Sequence, residues 1–245
     1  MILVRSVLYF IFLVVTTILI ASVGTLIGWA LPRHHIHILD NTWSRVNLWA
    51  MAAICGLKYR LRGAENIPKG SCIILAKHQS AWETIALVSL IPGPKSWVLK
   101  RELLYVPFLG WVMYYFKPIA INRKSGRRAV DQIIEQGIQR LGSGKKVFVF
   151  PEGTRVAPGI RKRYGVGGAI LAEKSGYPVL PVAHNAGIFW RRRDIRKYPG
   201  TIDVQIGPLI QTGNLTAVEI NKKAEAWIES TVERLPQSHD DSSHR

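Results

Sequence analysis

Residues 6–31 carry no charge and very little polarity, and this run limits the possible folds more than any other part of the chain. About 26 residues at 1.5 Å each give about 39 Å, enough to cross a hydrocarbon core of about 30 Å. The run is therefore expected to form a helical membrane anchor. A cleaved signal peptide fits less well, because the run exceeds the usual apolar region of about 7 to 15 residues and no small-x-small cleavage site follows it. Arg5 stands alone before the run, whereas Arg33, Arg45, Lys58, Arg60 and Arg62 follow it. If the segment spans, the positive-inside bias leaves the remainder of the chain on the cytoplasmic side of the inner membrane. Gly24 and Gly28 allow a bend, so a re-entrant hairpin with the next helix is the other arrangement. That next helix is expected to begin near Asp40 and Asn41. Its apolar stripe of Trp43, Val46, Ala50, Ala53, Ile54 and Leu57 suits either a membrane interface or packing on a domain.

Beyond the anchor the chain alternates two periodicities. Short apolar runs at 72–76, 96–99, 118–123, 146–149 and 177–182 read as strands, and residues 201–206 alternate as a half-exposed strand. Between and after them, helical patterns cover 84–91, 103–116 with an interruption at Pro107, 129–141, 167–174 closed by Gly176, and 216–235. The expected fold class is α/β, a mainly parallel sheet flanked by helices and preceded by the membrane-anchoring segment. The expected division is 1–60 for anchor and interfacial helix, 61–235 for one α/β domain, and 236–245 for a polar, disordered tail.

Chemistry concentrates where these strands end, the edge at which α/β sheets hold ligands. Lys77-His78-Gln79-Ser80-Ala81-Trp82-Glu83 follows the first apolar strand and sets an imidazole five residues before a carboxylate. On a regular helix residues five apart point about 140° away from each other, so His78 meets Glu83 only if it lies in the turn and Glu83 in the first helical turn. Ser80 as N-cap with Glu83 at N3 would place the helix start after the histidine, and it would equally explain Glu83 as a cap alone. Phe150-Pro151-Glu152-Gly153-Thr154-Arg155 follows another strand: Pro151 ends it, Gly153 permits a tight turn and Arg155 offers a planar fork for phosphate oxygens. Standing alone, this block would read as a surface turn. Residues 118–123 end in Arg123, and Lys124, Arg127 and Arg128 follow as an outer basic rim.

In order, the blocks at 77–83, 119–123, 150–155 and 177–182 resemble the four motif blocks of the glycerolipid acyltransferases, specifically the bacterial 1-acyl-glycerol-3-phosphate acyltransferases, over about residues 60–210. The resemblance implies transfer of a fatty acyl group from a thioester to the free hydroxyl of lysophosphatidic acid, giving phosphatidic acid. It implies no metal and no held cofactor, with acyl carrier protein or coenzyme A carrying the acyl group. His78 would be the general base and Glu83 its orienting partner. Arg123 and Arg155 would hold the phosphate, with Glu152, Gly153 and Thr154 completing that site. Glu152 would either hold one of the arginines or accept a glycerol hydroxyl. Two positions depart from the pattern: Lys77 stands where the family usually has asparagine, and Glu83 where it has aspartate, whose carboxylate is one methylene shorter. Another acceptor, glycerol-3-phosphate or a lyso-aminolipid, is the alternative these departures suggest.

The chain holds 33 Lys+Arg against 16 Asp+Glu, a formal net charge of +17, with a pI near 10.2. Such a balance suits an anionic partner. The aromatic and basic residues of 190–198 would serve RNA or anionic lipid head groups, and the anchor favours lipid and the bilayer over nucleic acid. A non-catalytic basic membrane adaptor is the reading from a different class. Cys55 and Cys72 read as small buried hydrophobes in a reducing compartment. His34, His35 and His37 have metal-like spacing without supporting ligands, and His184 is the competitor to His78 as base. Residues 103–111 are either an acyl-chain contact or a buried core helix.

Overall fold

The computed structural model describes residues 1–27, 36–122 and 125–238. Helix α1 (Ile2–Ile27) and helix α2 (Ile36–Cys55) come first. Trp43 Nε1 donates to Thr17 Oγ1 at 3.2 Å, Asn47 Nδ2 to Thr16 Oγ1 at 3.2 Å, and Cys55 Sγ meets the Arg5 carbonyl at 3.6 Å. Partners thus ascend on one helix as they descend on the other, and the pair runs antiparallel. Hydroxyls within α1 are satisfied by carbonyls one turn back, as where Ser6 donates to Ile2 and Thr17 to Leu13. One face of α1, with Ser6, Tyr9 and Ala21, is buried against the rest of the protein, while Leu8, Ile11, Val15, Leu19 and Leu26 are exposed. Helix α2 starts four residues earlier than expected; of the expected stripe Ala50 is buried and Trp43 and Ile54 pack on the core, with Ser44, Asn47, Leu48 and Met51 buried beside them, while Val46 and Ala53 face outward. Leu57, assigned to that stripe, opens the first strand instead, because Gly56 at φ 69° ends the helix before it.

Among the described residues the strands are β1 (Leu57–Arg62), β2 (Ile73–Ala76), β3 (Lys95–Lys100), β4 (Ile119–Ile121), β5 (Lys146–Val149), β6 (Val179–His184) and β7 (Gly200–Ile206). They form one sheet in the order β1-β7-β6-β2-β5-β3-β4, parallel throughout except between β6 and β7. The expected α/β class and mainly parallel sheet are found. β7 is not half-exposed: Ile202, Asp203 and Val204 are all buried, because β1 pairs along its outer edge and Asp203 lies 3.6 Å from Arg60.

Side-chain alternation sends the two faces of β2 to two cores. Cys72, Ile74 and Ala76 join α2 and helix α3 (Trp82–Leu90) on one face. Ile73 and Leu75 join helices α5 (Arg127–Gly142), α6 (Gly167–Ser175) and α8 (Ala217–Arg234) on the other. All of these β2 side chains are buried, so truncating one, as in Ile74→Ala, costs about 2 to 5 kcal/mol. Helix α4 (Leu109–Phe116), which packs on α1, and the short α7 (Ala186–Phe189) complete the fold. The helical pattern expected over 103–116 divides at Pro107 into a 3-10 segment, Arg101–Tyr105, and α4.

Candidate active site

The turn from β2 into α3 holds His78. The backbone N–H of Lys77 donates to the Val182 carbonyl at 2.9 Å, which carries the ladder one residue past β2 and delivers His78 to the carboxyl edge of the sheet. Glu83 lies in the first turn of α3, wholly buried, and its Oε1 stands 2.8 Å from His78 Nδ1. The same oxygen accepts the backbone N–H groups of Gln79 at 2.9 Å and Ser80 at 2.8 Å. Cap and imidazole partner, alternatives on sequence grounds, are one oxygen performing both tasks. Ser80 itself accepts from Trp82 N rather than Glu83 N, so only the return arm of a capping box forms, and the helix starts one residue later than a Ser80 cap requires. Burial works to raise the Glu83 carboxyl, but the neighbouring imidazole of His184, the hydrogen bond and charge of His78 and the Ser80 amide outweigh it and hold it below the ordinary carboxylate range.

With Nδ1 engaged by Glu83, His78 is left with Nε2 for a substrate. Phe150 stacks on the ring at 4.0 Å and 14° between planes, fixing its tilt. His78 lines a cavity of about 670 Å³. Near it the wall is basic and polar, with Thr154, Arg155, Arg192 and Arg193. The remaining wall is largely apolar: Ile20 and Ala21 of α1, Trp43 of α2, Val88 of α3, Trp97 and Val98 of β3, and Met113 and Phe116 of α4.

The chain that carries this site is similar to known proteins. The family model described as Acyltransferase matches residues 58–185. A 1-acyl-sn-glycerol-3-phosphate acyltransferase of Pseudomonas aeruginosa is 41% identical over 98% of this chain and 95% of its own length. The chain belongs to the acyltransferase family. A 1-acyl-sn-glycerol-3-phosphate acyltransferase of Borreliella burgdorferi is 29% identical over 71% of this chain and 69% of its own. The solved 1-acyl-sn-glycerophosphate (LPA) acyltransferase PlsC of Thermotoga maritima has the same fold, with a TM-score of 0.78, 23% identity and 95% of each chain covered. Family membership displaces the non-catalytic adaptor.

In this acyltransferase the expected phosphate block divides in two. Thr154 and Arg155 face the cavity, and Gly153, at φ 67°, makes the turn that brings them there. Glu152 points elsewhere. Its side chain is fully buried, its Oε1 accepts the His78 backbone N–H at 3.2 Å, and Lys77 Nζ stands 3.4 Å from the same oxygen. Among the described residues it meets the His78 peptide and Lys77 rather than Arg155, and it lies behind the histidine rather than in the cavity wall. Burial raises its carboxyl despite the Lys77 charge beside it. Arg123 and Lys124 lie outside the described residues, and Arg127 and Arg128 are exposed at the start of α5.

His184 is fully buried, its Nε2 donating to the Lys77 carbonyl at 2.8 Å and its Nδ1 accepting the Ala186 N–H at 3.2 Å. A carboxylate stands near it, Glu83 Oε2 at 4.0 Å, yet both ring nitrogens are committed and no substrate reaches them. Burial depresses its basicity below the ordinary imidazole range, and the ring serves as a brace. His34, His35, His239 and His244 lie outside the described residues, while His37 lies 3.8 Å from Asp40.

Sequence reasoning left Arg192 and Arg193 in a generic lipid-binding stretch. Arg192 Nη1 donates to the Arg155 carbonyl at 3.0 Å, and Arg193 adopts φ 63°, a left-handed conformation rarely found outside glycine. Lys197 Nζ stands 4.2 Å from the centre of the Trp190 ring and 5.2 Å from that of Tyr9, and its backbone N–H donates to Ser6 Oγ at 2.9 Å. The stretch is thus pinned to α1. The 103–111 region is neither a buried helix nor wholly acyl-lining: Leu103 reaches the cavity, while Tyr105, Val106 and Trp111 are exposed.

Proposed function

We propose that this acyltransferase moves a fatty acyl group from a thioester, carried on acyl carrier protein or coenzyme A, to the free sn-2 hydroxyl of lysophosphatidic acid, yielding phosphatidic acid. The observation carrying this reading is the His78–Glu83 contact at 2.8 Å, opening on one cavity that is basic near the imidazole and apolar beyond it. The identity to the Pseudomonas aeruginosa enzyme supports the same acceptor.

An alcohol is a poor nucleophile near neutral pH. His78 Nε2 takes its proton as the oxygen attacks the thioester carbonyl, a contribution of about 10²- to 10⁴-fold. Glu83 holds the Nδ1–H tautomer and stabilises the imidazolium without itself taking the proton. Collapse of the tetrahedral adduct breaks the carbon–sulfur bond, and the departing thiolate receives the proton from Nε2. The nucleophile belongs to the acceptor, so no acyl-enzyme forms and no cofactor takes part. Arg155, with Arg192 and Arg193, holds the phosphate; Arg123 is assigned to the same task by resemblance. The acyl chain lies along Trp97, Val88, Ile20 and Met113.

The outward faces of α1 and of residues 105–111 sit in the cytoplasmic leaflet of the inner membrane, with the α/β domain on the cytoplasmic side. Because the other face of α1 is buried against α2 and the loop at Lys197, the helix lies with the domain rather than crossing the bilayer away from it. Purified full-length protein, offered lysophosphatidic acid, glycerol-3-phosphate and a lyso-aminolipid with each donor in turn, tests the reading. His78→Ala abolishes phosphatidic acid formation while membrane attachment survives; preference for an acceptor without phosphate overturns the assignment of the arginines.

A further inference from the structure

Because side chains alternate past the end of β2, His78 turns toward the cavity with Ile74 and Ala76, and Lys77 turns the other way, with Ile73 and Leu75, toward α8. There its ammonium is buried. Nζ donates to Glu229 Oε1 of α8 at 2.6 Å and stands 3.4 Å from Glu152 Oε1. The same Glu229 oxygen accepts the Tyr164 hydroxyl at 2.7 Å, and the same Glu152 oxygen accepts the His78 backbone N–H at 3.2 Å. A single cation therefore links α8, the turn at 150–155 and the peptide that carries the imidazole.

We infer that Lys77 is a positioning residue for His78: its ammonium keeps Glu152 ionised and in place, and Glu152 in turn fixes the His78 peptide. The inference rests on the acyl-transfer reading of His78. Glu229 belongs to the same device, so α8 takes part in catalysis although none of its side chains lines the cavity. This gives a physical meaning to the lysine at the position where the resembling family has asparagine. An asparagine side chain is too short to reach α8, whereas the four-carbon stem of lysine spans the gap. Without the cation the Glu152 carboxyl, already raised by burial, loses the charge beside it and takes a proton. A protonated Glu152 is a weaker acceptor for the His78 N–H, and the imidazole drifts from the acceptor hydroxyl. Misplacement on the order of 1 Å lowers turnover about 100-fold while leaving the binding groups untouched.

The test compares full-length wild type with Lys77→Met, Lys77→Arg, Glu229→Gln and the Lys77→Met, Glu229→Gln double variant in detergent–phospholipid micelles, measuring kcat and acceptor KM for lysophosphatidic acid. Lys77→Met is expected to lose about 100-fold in kcat with KM within about twofold. Lys77→Arg, which keeps a cation able to fork to both carboxylates, recovers most of that loss. The double variant is no worse than Lys77→Met, because both changes break one linkage. A wild-type kcat in Lys77→Met, a loss confined to KM, or losses that multiply in the double variant overturns the inference. Should Lys77→Met fail to fold, Glu229→Gln carries the decision alone, since it keeps shape and an acceptor: a lowered kcat with unchanged KM supports the inference, and undiminished kcat overturns it. Wild-type turnover separates the two readings. No phosphatidic acid from the wild type removes the acyl-transfer assignment and this inference with it, whereas normal wild-type turnover with an undiminished Lys77→Met removes this inference only.

Discussion

Glu83 Oε1 meets His78 Nδ1 at 2.8 Å while accepting two backbone N–H groups of the intervening turn. One oxygen thus orients the imidazole and closes the loop that carries it. Glu83→Gln keeps the shape but removes the charge that stabilises the imidazolium, and kcat for phosphatidic acid formation is expected to fall by about 10²- to 10⁴-fold. Steady-state kinetics alongside circular dichroism checks this; a folded variant with undiminished kcat would take Glu83 out of the chemistry.

Arg155 and Arg192 are joined through a backbone carbonyl at 3.0 Å and face the cavity together. Arg155→Ala is expected to raise the acceptor KM by about 10- to 100-fold, the worth of one charge-assisted hydrogen bond, with kcat little changed. Acceptor titration at saturating donor gives the split, and a change in kcat alone would move Arg155 from binding to chemistry.

Two buried groups lower stability as pH falls, and Glu152, raised from 4.5, works the other way. His184 has its folded-state pKa lowered from 6.5 by burial, so below pH 6.5 the unfolded chain binds a proton that the folded chain refuses, and stability declines as pH falls. Glu83, lowered from 4.5, contributes stability that is complete above that pH and is lost as pH falls through its folded-state value. Urea unfolding from pH 8 to pH 4 is expected to show a decline beginning near neutrality. His184→Gln, which retains a donor and an acceptor, flattens the first part of that decline; an unchanged slope would place the proton uptake on another group.

Lys95 is a buried cation in the cavity wall, its Nζ donating to Asn41 Oδ1 at 3.3 Å. Ser96 shares a register level with Val147 and hence with Ile73, which puts Lys95 about six residues, or roughly 20 Å, below His78 along the strand direction. An acyl chain running down the cavity meets a polar group there. Lys95→Met is expected to move the preferred acyl chain to greater length, each added methylene being worth about 1 to 3 kcal/mol in discrimination. Competition between thioesters of graded length, read by mass analysis of the product, would expose an error as an unchanged distribution.

The α/β class and the strand–turn–helix around His78 were legible because each rests on local signals: a continuous apolar run, a polar turn, a second apolar run with another period. Glu83 was legible as a partner but not as a partner and cap at once, since only coordinates show that one oxygen serves both. Glu152 was misplaced for a physical reason. Its role depends on Lys77, 75 residues earlier, and on Glu229, 77 residues later, and no local pattern links them. Arg192 and Arg193 were hidden in the same way, in a loop held at Lys197 by Ser6 and Tyr9 near the opposite end of the chain. The helix start at Ile36 was missed because nothing before Asp40 carries a capping signal.

Thr17, Ile20 and Ala21 put α1 itself into the wall of the reaction chamber. Tether and chamber are therefore inseparable. Trimming the first helix to obtain a water-soluble enzyme would leave the chamber with a missing side, opening its greasy interior to solvent. On the proposed function the lipid reactant never needs to be lifted out into water: a helix resting among the lipids would also enclose the place where the new ester is made.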